Sequence, residues 1–214
     1  MLPTYSVAER NRRWELAQQL MDLEGLDALL VWGEREGAAP APFAFDTYFT
    51  NDRPGALVVI PRGAEPVALV PLPMYVGDHY ESTLRGDELW IAPENVRVAR
   101  HPAGVAGVLR EHGADRGRIG VVGAEPYPPY YFVPPLPAAL RLGLAKQLPD
   151  ADLVPAGHRL AALTMRQSDE ELAVIRHAAG IGDAMAVAMR EATAPGVPET
   201  EVYAAGLHAA HVRG

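Results

Sequence analysis

Leu163-Thr164-Met165-Arg166-Gln167-Ser168-Asp169-Glu170-Glu171-Leu172, then an apolar-periodic run, then Pro195-Gly196-Val197-Pro198-Glu199-Thr200-Glu201: this stretch decides how the chain is organised. Ser168 with Glu171 one turn later reads as a capping box, the hydroxyl accepting from a first-turn N–H while the carboxylate reaches back to the cap. Asp169, Glu170 and Glu171 place negative charge at the positive end of the helix dipole. Leu172, Ile175, Ala178, Ala179, Ile181, Met185 and Met189 recur at the spacing of one helical face. Gly180 and Gly182 interrupt that face at about 1 kcal/mol each relative to Ala. They mark either tolerated weakness or the close approach of another backbone. Pro195-Gly196 stops the helix, and Pro198 with Glu199 and Glu201 opens a second one.

Upstream, the pattern alternates between helical and strand periods. Ser6 and Glu9 form a second capping box, opening an amphipathic helix over residues 6–24 that Gly25 closes. Leu26 to Trp32 is a short apolar run that reads as a buried strand. Residues 33–54 read as a loop holding Phe43, Phe45, Tyr48, Phe49, Asn51, Asp52 and Arg53. Residues 55–61 and 66–70 are β-rich and joined by Arg62-Gly63-Ala64-Glu65, a hairpin signature. Residues 74–85 form a short helix or loop carrying Asp78, His79 and Tyr80, with His79 expected to be exposed and without a partner. Further strands are expected over residues 88–92, 117–123 and 152–155, and helices over residues 102–112 and 136–148. Residues 157–162 read as a connector.

Several functional classes are excluded or disfavoured. The net charge of −8 argues against nucleic-acid binding, which needs clustered Lys and Arg. The absence of Cys removes disulfides and thiolate metal sites. The N-terminus lacks the basic-then-apolar pattern of a signal peptide, and no apolar run approaches the roughly 20 residues of a membrane span, so a cytoplasmic location is expected. Gly117, Gly120 and Gly123 punctuate a strand instead of opening a helix, which disfavours a dinucleotide fingerprint. The Pro- and Tyr-rich residues 125–137 are read as a rigid loop starting a helix in preference to a polyproline ligand. His208 and His211 lie one turn apart, yet the Glu of a zincin motif is missing, so no metal is assigned to them.

The order Arg166-Gln167-Ser168-Asp169-Glu170-Glu171-Leu172, Ile175-Arg176-x-Ala178 and Gly196-Val197-x-Glu199-x-Glu201 resembles the start of the catalytic domain in the pita-bread metallopeptidases: creatinase, prolidase and aminopeptidase P. Gln167 stands where the family commonly has Lys, Thr164 where it often has Arg, and Pro198 where a Thr usually caps the second helix. The strand after Gly25 and the Arg118-Ile119-Gly120-Val121 run are also similar to that family's N-terminal domain. The resemblance implies an α/β fold, a mixed sheet flanked by helices of the ribonuclease-H-like creatinase type, followed by a two-helix C-terminal stub. It divides the chain into an N-terminal domain at residues 1–160 and the first helices of a truncated catalytic domain at residues 161–214.

The resemblance further implies a parent that hydrolyses a bond next to proline, with water activated by two divalent metals (Mn, Co or Zn). The family's metal ligands lie downstream of the matched segment, so no catalytic residue and no metal ligand is assigned to this chain, which is expected to be inactive alone. It also implies a homodimer acting on a peptide or small molecule, with the loop around Tyr48-Phe49-Thr50-Asn51-Asp52-Arg53 approaching a neighbouring subunit's active site. Tyr48, Asn51 and Arg53 are the substrate-proximal candidates, Arg53 being able to pair a carboxylate bidentately; an aromatic-anchored surface loop with a solvated Arg is the competing reading. Two other functions remain open: a stand-alone binding or regulatory module, and a fragment of a creatinase-like non-peptidase hydrolase. In either case the apolar face of the helix over residues 168–193 needs cover, from the second terminal helix or from a second copy.

Overall fold

Ala28-Leu29-Leu30-Val31 and Leu57-Val58-Val59-Ile60 contain no polar residue, and a strand of that composition must be buried on both faces. In the computed structural model, which describes residues 2–33, 45–126 and 132–214, they are. The chain forms two compact units, Arg10–Met165 and Met1–Glu9 with Arg166–Gly214.

In the larger unit, β1 (Ala28–Trp32) is central. It runs antiparallel to β2 (Leu57–Pro61) on one side and parallel to β5 (Arg118–Val122) on the other. β3 (Val67–Val70) pairs antiparallel with β2 as the expected hairpin, and the edges are β4 (Val96–Val98) and β6 (Asp152–Pro155), both parallel to their neighbours. The sheet order is β4-β3-β2-β1-β5-β6. Successive side chains point to opposite faces, so Leu29, Val31, Val58, Ile60 and Ala68 form one core with Ala17, Leu20 and Met21 of α1 (Val7–Glu24). Phe45 and Phe49 of α2 (Phe45–Thr50) and Leu160 of α6 (Gly157–Thr164) join them. Ala28, Leu30, Leu57, Val59, Leu69 and Ile119 face the other core with Val105, Val108 and Leu109 of α4 (Pro102–Glu111) and Leu144 of α5 (Ala138–Gln147). The mixed sheet with helices on both faces is thus the expected α/β architecture.

Three local expectations are corrected. The strand expected over residues 88–92 is absent: Trp90 and Ile91 are buried, but the paired edge strand is Val96–Val98, after a 3-10 turn at Pro93–Asn95. Part of the expected loop folds as α2, and the expected connector at residues 157–162 folds as α6. Residues expected as helix or loop form α3 (Pro73–Arg85), started by Pro73 and ended by Gly86 in the left-handed region.

In the smaller unit the Ser168 box is fully formed, Glu171 N–H donating to Ser168 Oγ at 3.1 Å and Ser168 N–H to Glu171 Oε2 at 2.8 Å. It opens α7 (Asp169–Ala192), which pairs with α8 (Glu199–His211). The Ser6 box is built differently. Glu9 N–H donates to Ser6 Oγ at 3.2 Å, but the carboxylate returning to Ser6 is that of Glu170, which accepts from Ser6 N–H at 2.8 Å and from its hydroxyl at 2.7 Å.

Gly180 and Gly182 face open space, so neither marks a close backbone approach. Gly206 in α8 is the crowded glycine of the pair, packed against the Met189 side chain, where an added Cβ would lie 2.7 Å from Met189 Cγ. The helix pair covers the α7 face incompletely, leaving Ile175 50% and Val187 43% exposed. Contrary to the sequence-based expectation, α7 is by length and composition apolar enough to cross a membrane, with a mean hydropathy of 1.3. Much of that figure comes from Ala, which buries little apolar area, and Arg176 and Asp183 interrupt the run.

Candidate functional site

The segment after α2 and the buried side of α3 supply the candidate site. α2 is docked through Phe45 and Phe49, and its last turn is tied by Thr50, whose hydroxyl donates to the Asp46 carbonyl at 2.8 Å. Asn51 then takes the left-handed conformation, φ +49°, that ends a helix, with its N–H donating to Thr47 O at 2.8 Å. Asp46, buried at the start of α2, accepts from Gly55 N–H at 2.7 Å. Burial pushes its carboxyl up from the ordinary range, against backbone N–H groups that favour the ionised form. Residues 51–54 are therefore an exposed bridge whose two ends, Thr50 and Gly55, are fastened to one residue.

Asp52 and Arg53 project from that bridge toward α3. Arg53 Nη1 donates to Asp78 Oδ2 at 2.8 Å, Arg53 Nε lies 3.7 Å from Asp52 Oδ1, and the guanidinium sits 5.1 Å from the centre of the Tyr75 ring. His79, one turn beyond Tyr75, is only 5% exposed, which corrects the expectation of an exposed, partnerless imidazole. Its Nε2 lies 2.9 Å from the Ile91 carbonyl oxygen and its Nδ1 3.5 Å from Asp52 Oδ2. The hydrogen bond with Asp52 raises the His79 pKa above 6.5 in spite of burial. Burial raises the Asp52 pKa, but the His79 hydrogen bond and the Arg53 backbone and charge outweigh it and hold that carboxyl below 3.8.

Beside this cluster lies a shallow, open cleft walled by Ala56, Ala68, Val70, Tyr75, Ile91 and Val96, with Asp52 and Arg53 at its polar side. Chemically the arrangement can hold or release a proton at His79 Nδ1 and can present a cation beside an apolar surface. The Thr50 hydroxyl donates to the Asp46 carbonyl and is therefore not poised as a nucleophile on the dyad.

Of the three sequence candidates, Asn51 and Arg53 stand exposed on the bridge, Arg53 engaged with Asp78. Tyr48 points elsewhere. Its ring packs against the Arg13 guanidinium at 4.4 Å and edge-on to Phe45 and Phe49, and its carbonyl accepts from Arg13 Nη1 at 3.1 Å. Phe43 and residues 127–131 of the Pro-rich loop lie outside the described residues. Asp52 and His79 were missed as a pair. The i, i+4 spacing of Tyr75 and His79 between a Pro start and a Gly stop signals only that His79 lies on a buried helical face and says nothing of Asp52.

The two divalent metals implied by the resemblance find no seat here: among the described residues no three His, Asp or Glu side chains converge. His208 and His211 are exposed near the end of α8.

No protein-family model matches the chain, and no curated protein matches it in sequence. Solved structures do. The Xaa-Pro dipeptidase from Bacillus anthracis matches with a TM-score of 0.66 at 19% identity, over 96% of this chain and 50% of that one. The prolidase from Pyrococcus horikoshii OT3 gives 0.66 at 18%, over 95% and 49%. The X-Pro aminopeptidase from Thermotoga maritima MSB8 gives 0.70 at 15%, over 94% and 49%. The chain thus spans about half the length of the structures it matches. At these identities the likeness shows the fold: the six-stranded mixed sheet flanked by helices is the creatinase-type α/β fold that the resemblance implies.

Proposed function

We propose that this chain is the non-catalytic N-terminal part of an Xaa-Pro aminopeptidase- or dipeptidase-like metallohydrolase, shaping substrate access and dimer contacts while other residues hold the metals. The observation that carries this reading is the extent of the fold match: nearly all of this chain against half of each Xaa-Pro peptidase. The metals, when bound in the complete hydrolase, activate water. This chain's contribution is geometric: Asn51 and Arg53 on the exposed bridge face a substrate carboxylate or a neighbouring subunit, and Tyr48 anchors the bridge to α1 through Arg13. A homodimer in the cytoplasm is part of the same proposal.

Equilibrium dialysis against Mn²⁺, Co²⁺ or Zn²⁺, with sedimentation of the same sample, tests it. The expected result is a dimer without a stoichiometrically bound ion. Two ions held per chain at micromolar concentration would contradict the non-catalytic assignment. A monomer would remove the dimer contacts from it.

The Asp52–His79 cluster and its adjoining cleft favour a second reading, a binding module that acts without a catalytic domain. It predicts saturable binding of a small ligand to the cleft by this chain alone.

A further inference from the structure

We propose that Asp52 and His79 form a proton-operated clasp, which holds the bridge of residues 51–54 against α3 while the imidazole is doubly protonated and releases it when one proton leaves.

The contact geometry favours the charged ring. Nε2 faces a carbonyl oxygen at 2.9 Å and Nδ1 faces a carboxylate oxygen at 3.5 Å. Both partners are acceptors, so both contacts are satisfied only when both ring nitrogens carry a proton. Either neutral tautomer leaves one ring lone pair pointed at an oxygen. The closer contact, to Ile91, keeps its proton, so deprotonation empties Nδ1 and sets its lone pair against the Asp52 carboxylate. The charged groups facing the ring are Asp52 and Arg53, both from the bridge. Asp78, on α3 itself, is engaged with Arg53. Ile91 contributes only its backbone.

The mechanical arrangement suits a clasp. The bridge is fastened at both ends through Asp46 and is otherwise exposed, so its middle can lift without unfolding α2 or β2. Lifting it moves Asp52 and Arg53 away from Tyr75 and opens the polar side of the cleft.

The pKa shifts give the direction. His79 is raised above 6.5, so its contribution is complete below that value and is lost as pH rises through the folded pKa. Asp52 is lowered below 3.8, so its contribution is complete above that value and is lost as pH falls through the folded pKa. The clasp is closed between those limits and opens on the alkaline side. It stands independently of the proposed peptidase role.

Two measurements on the 214-residue chain decide the matter: an NMR titration of the imidazoles, and amide-exchange protection factors of α3 at about pH 5.5 and about pH 8.5. In the wild type His79 should titrate above the ordinary imidazole value of about 6.5, and α3 protection should fall with rising pH by about tenfold per unit separating the folded and unfolded His79 pKa values. Asp52→Asn places an amide that can donate to the neutral Nδ1. It should lower the His79 titration and abolish the alkaline loss of protection. A wild-type His79 titrating at or below about 6.5 overturns the clasp, whether or not the variant folds. An Asp52→Asn chain that loses α3 protection as the wild type does overturns it equally.

Discussion

Phe49→Ala is expected to destabilise the larger unit by roughly 3–5 kcal/mol, the range for deleting a fully buried aromatic ring. Phe49 has no exposed surface and meets Tyr48 edge-on at 5.2 Å, and its carbonyl accepts from Trp14 Nε1 at 3.0 Å. It is also the deepest side chain of α2, a helix of six residues, far below the length at which helices stand alone. Packing therefore holds α2 in place, and α2 holds the bridge that carries Asn51, Asp52 and Arg53. Urea unfolding should show the midpoint reduced at nearly unchanged m-value. Because small domains are stable by only about 5–15 kcal/mol, a large share of the total is at stake. A loss below about 1 kcal/mol would mean that α2 is not docked as described.

Gly33→Ala is the second large effect. A Cβ at Gly33 would lie 2.1 Å from Asp46 Oδ2 and 2.3 Å from the Ala56 carbonyl oxygen. One obstacle is a buried carboxylate bonded to Gly55 and the other is backbone just ahead of β2. Neither is the free end of a flexible chain. Overpacking of this kind costs about 1–3 kcal/mol, and two fixed obstacles put this site at the upper end. Thermal unfolding measures the cost. Gly180→Ala, where the Cβ meets nothing within 4 Å, is the matched control and should not destabilise. Equal losses at the two positions would show that close approach is not what keeps Gly33 small.

These two sites also show where sequence patterning stops informing. Caps and strands were legible because their causes are local: Ser168 and Glu171 sit one turn apart, and the apolar runs around Leu30, Val59 and Ile119 bury themselves wherever they pair. α2 was illegible because six residues are too few to show a helical period. The apolar content of Glu88–Ala92 reads as a strand, whereas Trp90 and Ile91 are buried outside any ladder and Ile91 gives its carbonyl to His79. The Ser6 box formed with Glu170 in place of Glu9, and close packing fell on Gly206 in place of Gly180. In both cases the partner was chosen by tertiary proximity. The Asp52–His79 pair failed for the same reason, since nothing near either residue in the chain announces the other.

The proposed division of labour, scaffold here and chemistry elsewhere, is tested most directly by assaying the 214-residue chain for proline release from an Xaa-Pro dipeptide in the presence of Mn²⁺, Co²⁺ or Zn²⁺. The account predicts a rate equal to that of the metal ion alone. Chelator-sensitive release above that background, proportional to protein concentration, would contradict it.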